Sequence, residues 1–467
     1  MLFLHMHAQA TSVVDAIPTA DLLGVYEAAK QSDPQISAAR HAYQAQLEAV
    51  PQARAGLLPE ITAGATNEAT RLVRDEPAMS RDRSGTTFRA NLSQPLFRAD
   101  RWYQLKAAQA SVAQAGLELA VKEQTLVFNA AQAYFEVLRQ QDSLAAAKAE
   151  EAALLRQRDQ AQGRLEDGAS SITDVYDAQA AYDNARANRQ LVQRKVDDAY
   201  EALTRLTKQT YTTIAGMAHQ LPIEPPVPND AKLWVESAIQ QNLQLQANDY
   251  AVIAAQETLH QRKAGFAPTV DVVASYRKGD NDSFGYSNPT DSGTNSYRGN
   301  VAQSSIGIEL NIPLYSGGMT RSQVSESTER LYQSQDERED RLREVVLNTS
   351  NAFRGVNADI EQVTARRQSI ASGQKSVEAN QVGVDVGSRN IADVLTAQKQ
   401  LYAAVRDYND ARYDFILDNL KLKQAAGTLS PDDLRQLSHY LKRDYDPDRD
   451  FLPPGLSQPL TSAAVKR

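Results

Sequence analysis

The chain has 467 residues, more than one compact core usually holds, and 42% of them are apolar at a mean hydropathy of −0.50, the composition of long solvated helices. A net charge of −8 leaves nothing to balance phosphate and excludes a nucleic-acid groove. The absence of cysteine excludes thiolate metal sites, thiol catalysis, disulfides and lipid attachment at an N-terminal Cys, and no apolar run of about 18 residues exists to span a membrane as a helix.

The first stretch, 1–12, carries Ala8-Gln9-Ala10 after a short apolar run. It fits the back half of a secretory signal and, equally, an ordinary frayed start. Asp21 to about Val50 reads as a helix with Leu22, Val25, Ala28 and Ala29 on one face. Strands are expected at about 60–70 (Ile61, Ala63, Ala65) and 86–96 (Phe88, Ala90, Leu92), with Arg71–Gly85 as a polar loop between them. From about 98 to 166 there is no proline, and Leu105, Ala108, Val112, Ala115 and Leu119 recur at three and four. This predicts one helix reaching roughly 100 Å. A tip at 167–174 and a return helix at 175–206 follow.

Residues 207–231, with Pro222, Pro225, Pro226 and Pro228, form a linker, and then the order repeats. A helix is expected over Lys232 to about Gln261, strands at about 268–277 and 301–314, and a long exposed loop over Arg277–Asn300. A second long helix runs about 318–386, a second tip 387–393 and a second return helix 394–426. Ala264-Gly265-Phe266-Ala267-Pro268 repeats Ala55-Gly56-Leu57-Leu58-Pro59. Leu310-Asn311-Ile312-Pro313-Leu314-Tyr315 echoes Leu92-Ser93-Gln94-Pro95-Leu96-Phe97. The tips match most closely: Gly168, Ile172, Asp174 and Val175 stand where Gly387, Ile391, Asp393 and Val394 stand. After each tip a heptad seam begins, the second through Val394, Ala397, Leu401, Ala404, Tyr408, Ala411 and Phe415. The chain is therefore a duplication: repeat 1 over 13–206, repeat 2 over 232–428, and a C-terminal helix near 431–443 with an extended tail, together 429–467.

No catalytic motif appears; the six His are scattered and the acidic pairs read as solvated helix charge, so no enzyme, metal site or cofactor is expected. Four strands of alternating pattern suit either a soluble sheet or a share of a transmembrane barrel. Open edges are forbidden in lipid, so spanning strands must be pooled by several chains. A long coiled-coil scaffold or surface fibre is the competing class.

The doubled order of strand pair, Pro-Leu-aromatic, long helix, Gly-x-x-x-Ile-x-Asp-Val tip and return helix resembles the TolC family of bacterial outer-membrane factors over about Asp21–Leu429. The resemblance implies a mostly α fold with a β-barrel part. In it, a homotrimer pools four strands per chain into a 12-stranded outer-membrane barrel, continued by a periplasmic α-helical barrel. It implies an equatorial belt from the linker and C-terminal segment, an exit duct for multidrug efflux or type I secretion, and a periplasmic adaptor (membrane fusion) protein and inner-membrane transporter as partners. Outer-membrane lipid and the periplasm are the surroundings; nucleic acid is not a partner. It also implies a gate latch of Arg389 to Thr173 and Asp174 of a neighbouring tip, without the family's Tyr at the position of Val384. Asp393 then forms one acidic ring at the pore entrance, since the family's second ring position holds Thr396. Read from the residues alone, these are turn-capping groups and a helix N-terminal acid. Gly168, Ile172, Gly387 and Ile391 are candidate adaptor-docking groups, or simple turn geometry.

Overall fold

The computed structural model describes residues 20–75, 79–217, 219, 221–280 and 300–453. The signal-like stretch 1–12, and residues 281–299 of the loop expected over Arg277–Asn300, lie outside them, while Arg277–Asp280 and Asn300 are strand residues where that loop was expected. The described chain is mostly helical and falls into two compact units.

One unit holds 40–119 and 244–342, and with them the sheet. Strands β1 (Glu60–Arg74) and β2 (Met79–Phe97) form one hairpin, β4 (Thr269–Asp280) and β5 (Asn300–Asn311) a second, and β2 pairs with β4 to give the order β1-β2-β4-β5. The first hairpin corrects the expected loop at Arg71–Gly85. Its ladder runs out to Arg74 opposite Met79. Backbone pairing satisfies N–H and C=O groups whatever the side-chain polarity, so a polar ribbon stays paired where apolar alternation has ended.

The register explains the alternation. Ile61, Leu92, Ala274 and Ile306 lie in one cross-strand row, and Ala63, Ala90, Tyr276 and Ser304 in the next, all on one face. The opposite face carries Thr62, Asn91, Ser275 and Ser305, with the two serine hydroxyls 2.8 Å apart. A bulge between Pro95 and Phe97 leaves Leu96 unpaired and brings Phe97 opposite Val270, in phase with the apolar face. That face is not covered within the chain: Ile61 is 72% exposed, Ile306 81% and Ile308 73%. At the base of the sheet Arg98 joins Asp100 at 3.2 Å and Asp271 at 3.5 Å, tying the sheet to the start of α4 (Ala99–Glu166).

The opening helix expected over Asp21–Val50 is three: α1 (Leu22–Ser32), α2 (Pro34–Leu47) and α3 (Ala49–Ala55). Pro34 has no N–H to continue α1 and starts α2 instead. In the second repeat the break falls at Asn242, between α6 (Ala231–Gln241) and α7 (Leu243–Lys263). Asn242 donates to the carbonyl of Ala425 at 2.9 Å.

The other unit holds 20–39, 120–243 and 343–453 of the described chain. Its helices are the tip-proximal parts of α4 and of α8 (Met319–Asp385), with the return helices α5 (Ile172–Thr207) and α9 (Ile391–Ala425). Of the seam predicted on α9, Val394, Ala397, Leu401, Tyr408, Ala411 and Phe415 are all 5% exposed or less, and Ala404 is half-buried. The C-terminal helix is shorter than expected. It is α10 (Pro431–Ser438), after which β6 (Leu441–Lys442) pairs with β3 (Gly216–Met217) of the linker. Under this ladder Asp142 of α4 is fully buried and accepts from Tyr413 at 2.7 Å and Tyr445 at 2.5 Å. Burial pushes its carboxyl up to about 6, while the two hydroxyls favour the ionised form.

Candidate functional site at the helix tips

Both tips are built by one local rule. Gly168 (φ +72°) and Gly387 (φ +76°) adopt the left-handed conformation that closes a helix C-terminus. Ala169 then donates back to Arg164, and Ser388 to Gly383, at 2.7 and 2.8 Å. Three residues after each glycine an N-cap opens the return helix. Ser171 caps α5 and Asn390 caps α9, each accepting from the N–H of the aspartate at N3.

The two aspartates differ in what they hold. Asp174 completes a capping box: the Ser170 hydroxyl and the Ser171 N–H donate to it at 2.7 and 3.0 Å and hold its carboxyl below the ordinary range. Asp393 has Arg389 3.8 Å away, a long contact between exposed side chains worth about 0–1 kcal/mol. Thr173 is exposed beside Asp174. Among the described residues Arg389 makes no ion pair with Asp174 of its own chain; its charged neighbour is Asp393. Its stem lies over Gly383, where a Cβ would come within 2.6 Å of the Arg389 Cγ. The absence of a side chain at 383 therefore sets where Arg389 starts.

The paired isoleucines are placed differently. Ile172 is 51% exposed, whereas Ile391 is 8% exposed and packs in a cluster with Leu154, Ala161, Ala178 and Leu395. Only Ile172 is presented at the surface of the single chain.

Sequence patterns miss a set of polar contacts between the ends of α4 and α8. The Arg164 guanidinium donates to the carbonyl of Val384 at 3.1 Å and lies 3.4 Å from the Asp385 carboxylate. One heptad earlier Gln157 donates to Gln381 at 2.8 Å, and Gln381 reaches Asp385 at 3.3 Å. The available signal is the spacing: 157 and 164 share a face at seven residues, and 381 and 385 at four. The backbone carbonyl of Val384 thus takes an arginine where the apolar side chain there offers no polar atom.

The family model described as outer membrane efflux protein matches residues 25–207 and 234–428, the two repeats. The chain is 33% identical to outer membrane protein TolC of Vibrio cholerae over 445 residues, covering 95% of this chain and 98% of that one. It is 25% identical to the alkaline protease secretion protein AprF of Pseudomonas aeruginosa, covering 88% and 85%. Among solved structures, the outer membrane protein VceC of Vibrio cholerae superposes with a TM-score of 0.75 at 18% identity, covering 87% of this chain and 96% of that chain, which speaks for the fold.

Proposed function

This chain belongs to the outer membrane efflux protein family, and from that premise we propose how it works as an exit channel of the outer membrane for efflux or type I secretion. It is a channel and not an enzyme. The observation that carries the reading is the four-stranded sheet, apolar on one exposed face and polar on the other, with the outer edges of β1 and β5 unpaired among the described residues. A coiled-coil scaffold has no use for such a sheet. Lipid against the apolar face, water along the polar face and a neighbour on each edge satisfy all three demands at once. Three copies pool twelve strands and close the barrel. Detergent-extracted protein should run as an SDS-resistant trimer with threefold particles; a monomer stable in detergent-free buffer overturns the proposal.

The helices extend into the periplasm, and the tips are the working end. The adaptor seats on the surface that Gly168, Ile172 and Gly387 present, with Ile391 packed behind them. The pump then delivers cargo at the pore entrance. There Asp393 of each chain forms the acidic ring. Its support is position: first turn of α9, half exposed, with only a long contact to Arg389. Three carboxylates at a narrow entrance focus negative potential. Multivalent cations should therefore block single channels from the periplasmic side, and Asp393→Ala should weaken that block about tenfold or more. Block of unchanged strength moves the ring to Asp385 or Asp174.

The resting state is held by the latch of Arg389 to Thr173 and Asp174 of the neighbouring chain. Support comes from what a single chain leaves available: an exposed guanidinium on one tip and an exposed hydroxyl beside a carboxylate on the other. The link from Arg164 to Val384 and Asp385 acts beside it, within each chain.

A further inference from the structure

The return helices α5 and α9 carry a glutamine at one matched position, and the two copies meet different surroundings. Gln179 of α5 is half-buried and donates to Asp183, one turn on, at 2.9 Å. Its counterpart on α9, Gln398, is 5% exposed, and the residue matching Asp183 is the buried Tyr402. The Oε1 of Gln398 is buried and accepts from no donor among the described residues. Val394, Leu395, Leu401 and Tyr402, three and four positions away on either side, are all buried as well.

The amide sits where three helices meet. Leu395 belongs to the cluster that holds Leu154 and Ala161 of α4. Leu401 lies over Gly373 of α8, where an added Cβ would meet the Leu401 Cδ1 at 3.3 Å. Glu150 accepts from Arg406 at 2.8 Å and Asp142 from Tyr413 at 2.7 Å, so α4 and α9 run antiparallel. Continued toward the tip, this register puts Gln398 level with Gln157. Gln157 directs its amide across to Gln381 of α8 at 2.8 Å, and Gln398 has no part in that bridge. A buried carbonyl oxygen without a donor costs the free energy of its lost hydration. The atom is enclosed by its own chain, so a neighbouring chain of a trimer does not reach it. Water reaches it only when α9 separates from α4 or α8. The seated position of α9 therefore carries a cost that a displaced position does not.

We infer that Gln398 is a gating residue that opposes the latch: seating α9 strips its amide oxygen of water, and outward movement of α9 restores it, so this side chain sets how readily the channel opens. The inference rests on the latch reading above, in which α9 is the helix held at rest. Arg389 holds the start of that helix, and Gln398 works against it from within the packed seam. The first repeat lacks the device, because Gln179 has Asp183.

The test uses full-length trimers in planar bilayers. Gln398→Met keeps an unbranched side chain of similar volume and removes the carbonyl. Added to Arg389→Ser, it should lower the ratio of open to closed channels about tenfold per chain, the change expected when one unpaired buried acceptor is removed. Gln179→Met in the same background should leave the ratio unchanged. Gln398→Glu, made in the parent chain, gives a readout that packing alone does not move. Burial disfavours the ionised carboxylate, so its opening should increase as pH rises and fall back toward the parent in acid. The charged groups nearest this layer are Arg156 and Glu150 of α4, which act on Tyr402, and Asp385 of α8 beside Gln381. They are the same in both channels, so the difference from the parent at each pH belongs to position 398. A methionine variant with an unchanged or raised open ratio overturns the inference, and so does a glutamate variant whose opening, relative to the parent, does not vary with pH. If the methionine variant does not assemble, the glutamate profile decides. If Arg389→Ser alone conducts like the parent, the latch reading fails, and the glutamate profile still decides the role of Gln398.

Discussion

Gly427→Ala should abolish assembly of the channel, whereas Gly168→Ala should not. Both glycines have positive φ, +77° and +72°, and both follow the end of a long helix. A left-handed alanine costs about 1–2 kcal/mol at either site. The surroundings separate them. Beside Gly168 nothing lies within 4 Å of an added Cβ. At Gly427 that Cβ would sit 2.2 Å from the carbonyl oxygen of Gln241 and 2.9 Å from the Cα of Asn242. These are backbone atoms at the break between α6 and α7, held by the Asn242 contact to Ala425. They cannot rotate away as a side chain would. The added cost is about 3 kcal/mol, the upper end for overpacking and a large part of a marginal stability. Outer-membrane fractions should contain Gly168→Ala trimers at near-parent yield and almost no Gly427→Ala trimers. Equal yields would show that this close approach is not maintained in the assembled protein.

Arg389→Ser should raise resting conductance and sensitise cells to large antibiotics without lowering the yield of trimers. A charge-assisted contact is worth about 1.5 kcal/mol, and three of them about 4.5 kcal/mol, on the order of a thousandfold in the ratio of closed to open channels. That bias is within reach of a docking adaptor. Adding Asp174→Ala should open the channel little further, because both changes break one contact. It should nevertheless lower thermal stability by about 1 kcal/mol, since Asp174 also closes the capping box of α5. Arg164→Ala behaves differently. Its link to Val384 and Asp385 lies within one chain, so its effect on conductance should add to that of Arg389→Ser. Conductance of Arg389→Ser equal to the parent in a planar bilayer removes the latch from this position. A sub-additive Arg164 and Arg389 pair would make the two links one network.

Much of this is legible in the amino-acid sequence. The tips are legible because a left-handed glycine, a capping residue three positions on and an aspartate at N3 form a local code, and here it is written twice. The seam of α9 is legible because burial on one helix face enforces a three-four spacing. The paired polar ribbon within Arg71–Gly85 is not, because its order comes from a partner strand and not from its own polarity. The break at Asn242 is not, since the chain there contains no proline or glycine to announce it.

The sequence by itself determined the duplication, the long helices, the turn chemistry of both tips and the two-faced alternation of the strands. These depend on contacts between residues a few positions apart, where spacing alone sets geometry. Tertiary structure decided what faces what across long separations. It placed Ile391 in a core and Ile172 outside, although their local motifs agree. It set Arg164 against Val384, Gly427 against Gln241 and Arg89 against Arg277. Such pairings are chosen by the register of packed helices and paired strands, which the whole chain settles at once and no short stretch encodes.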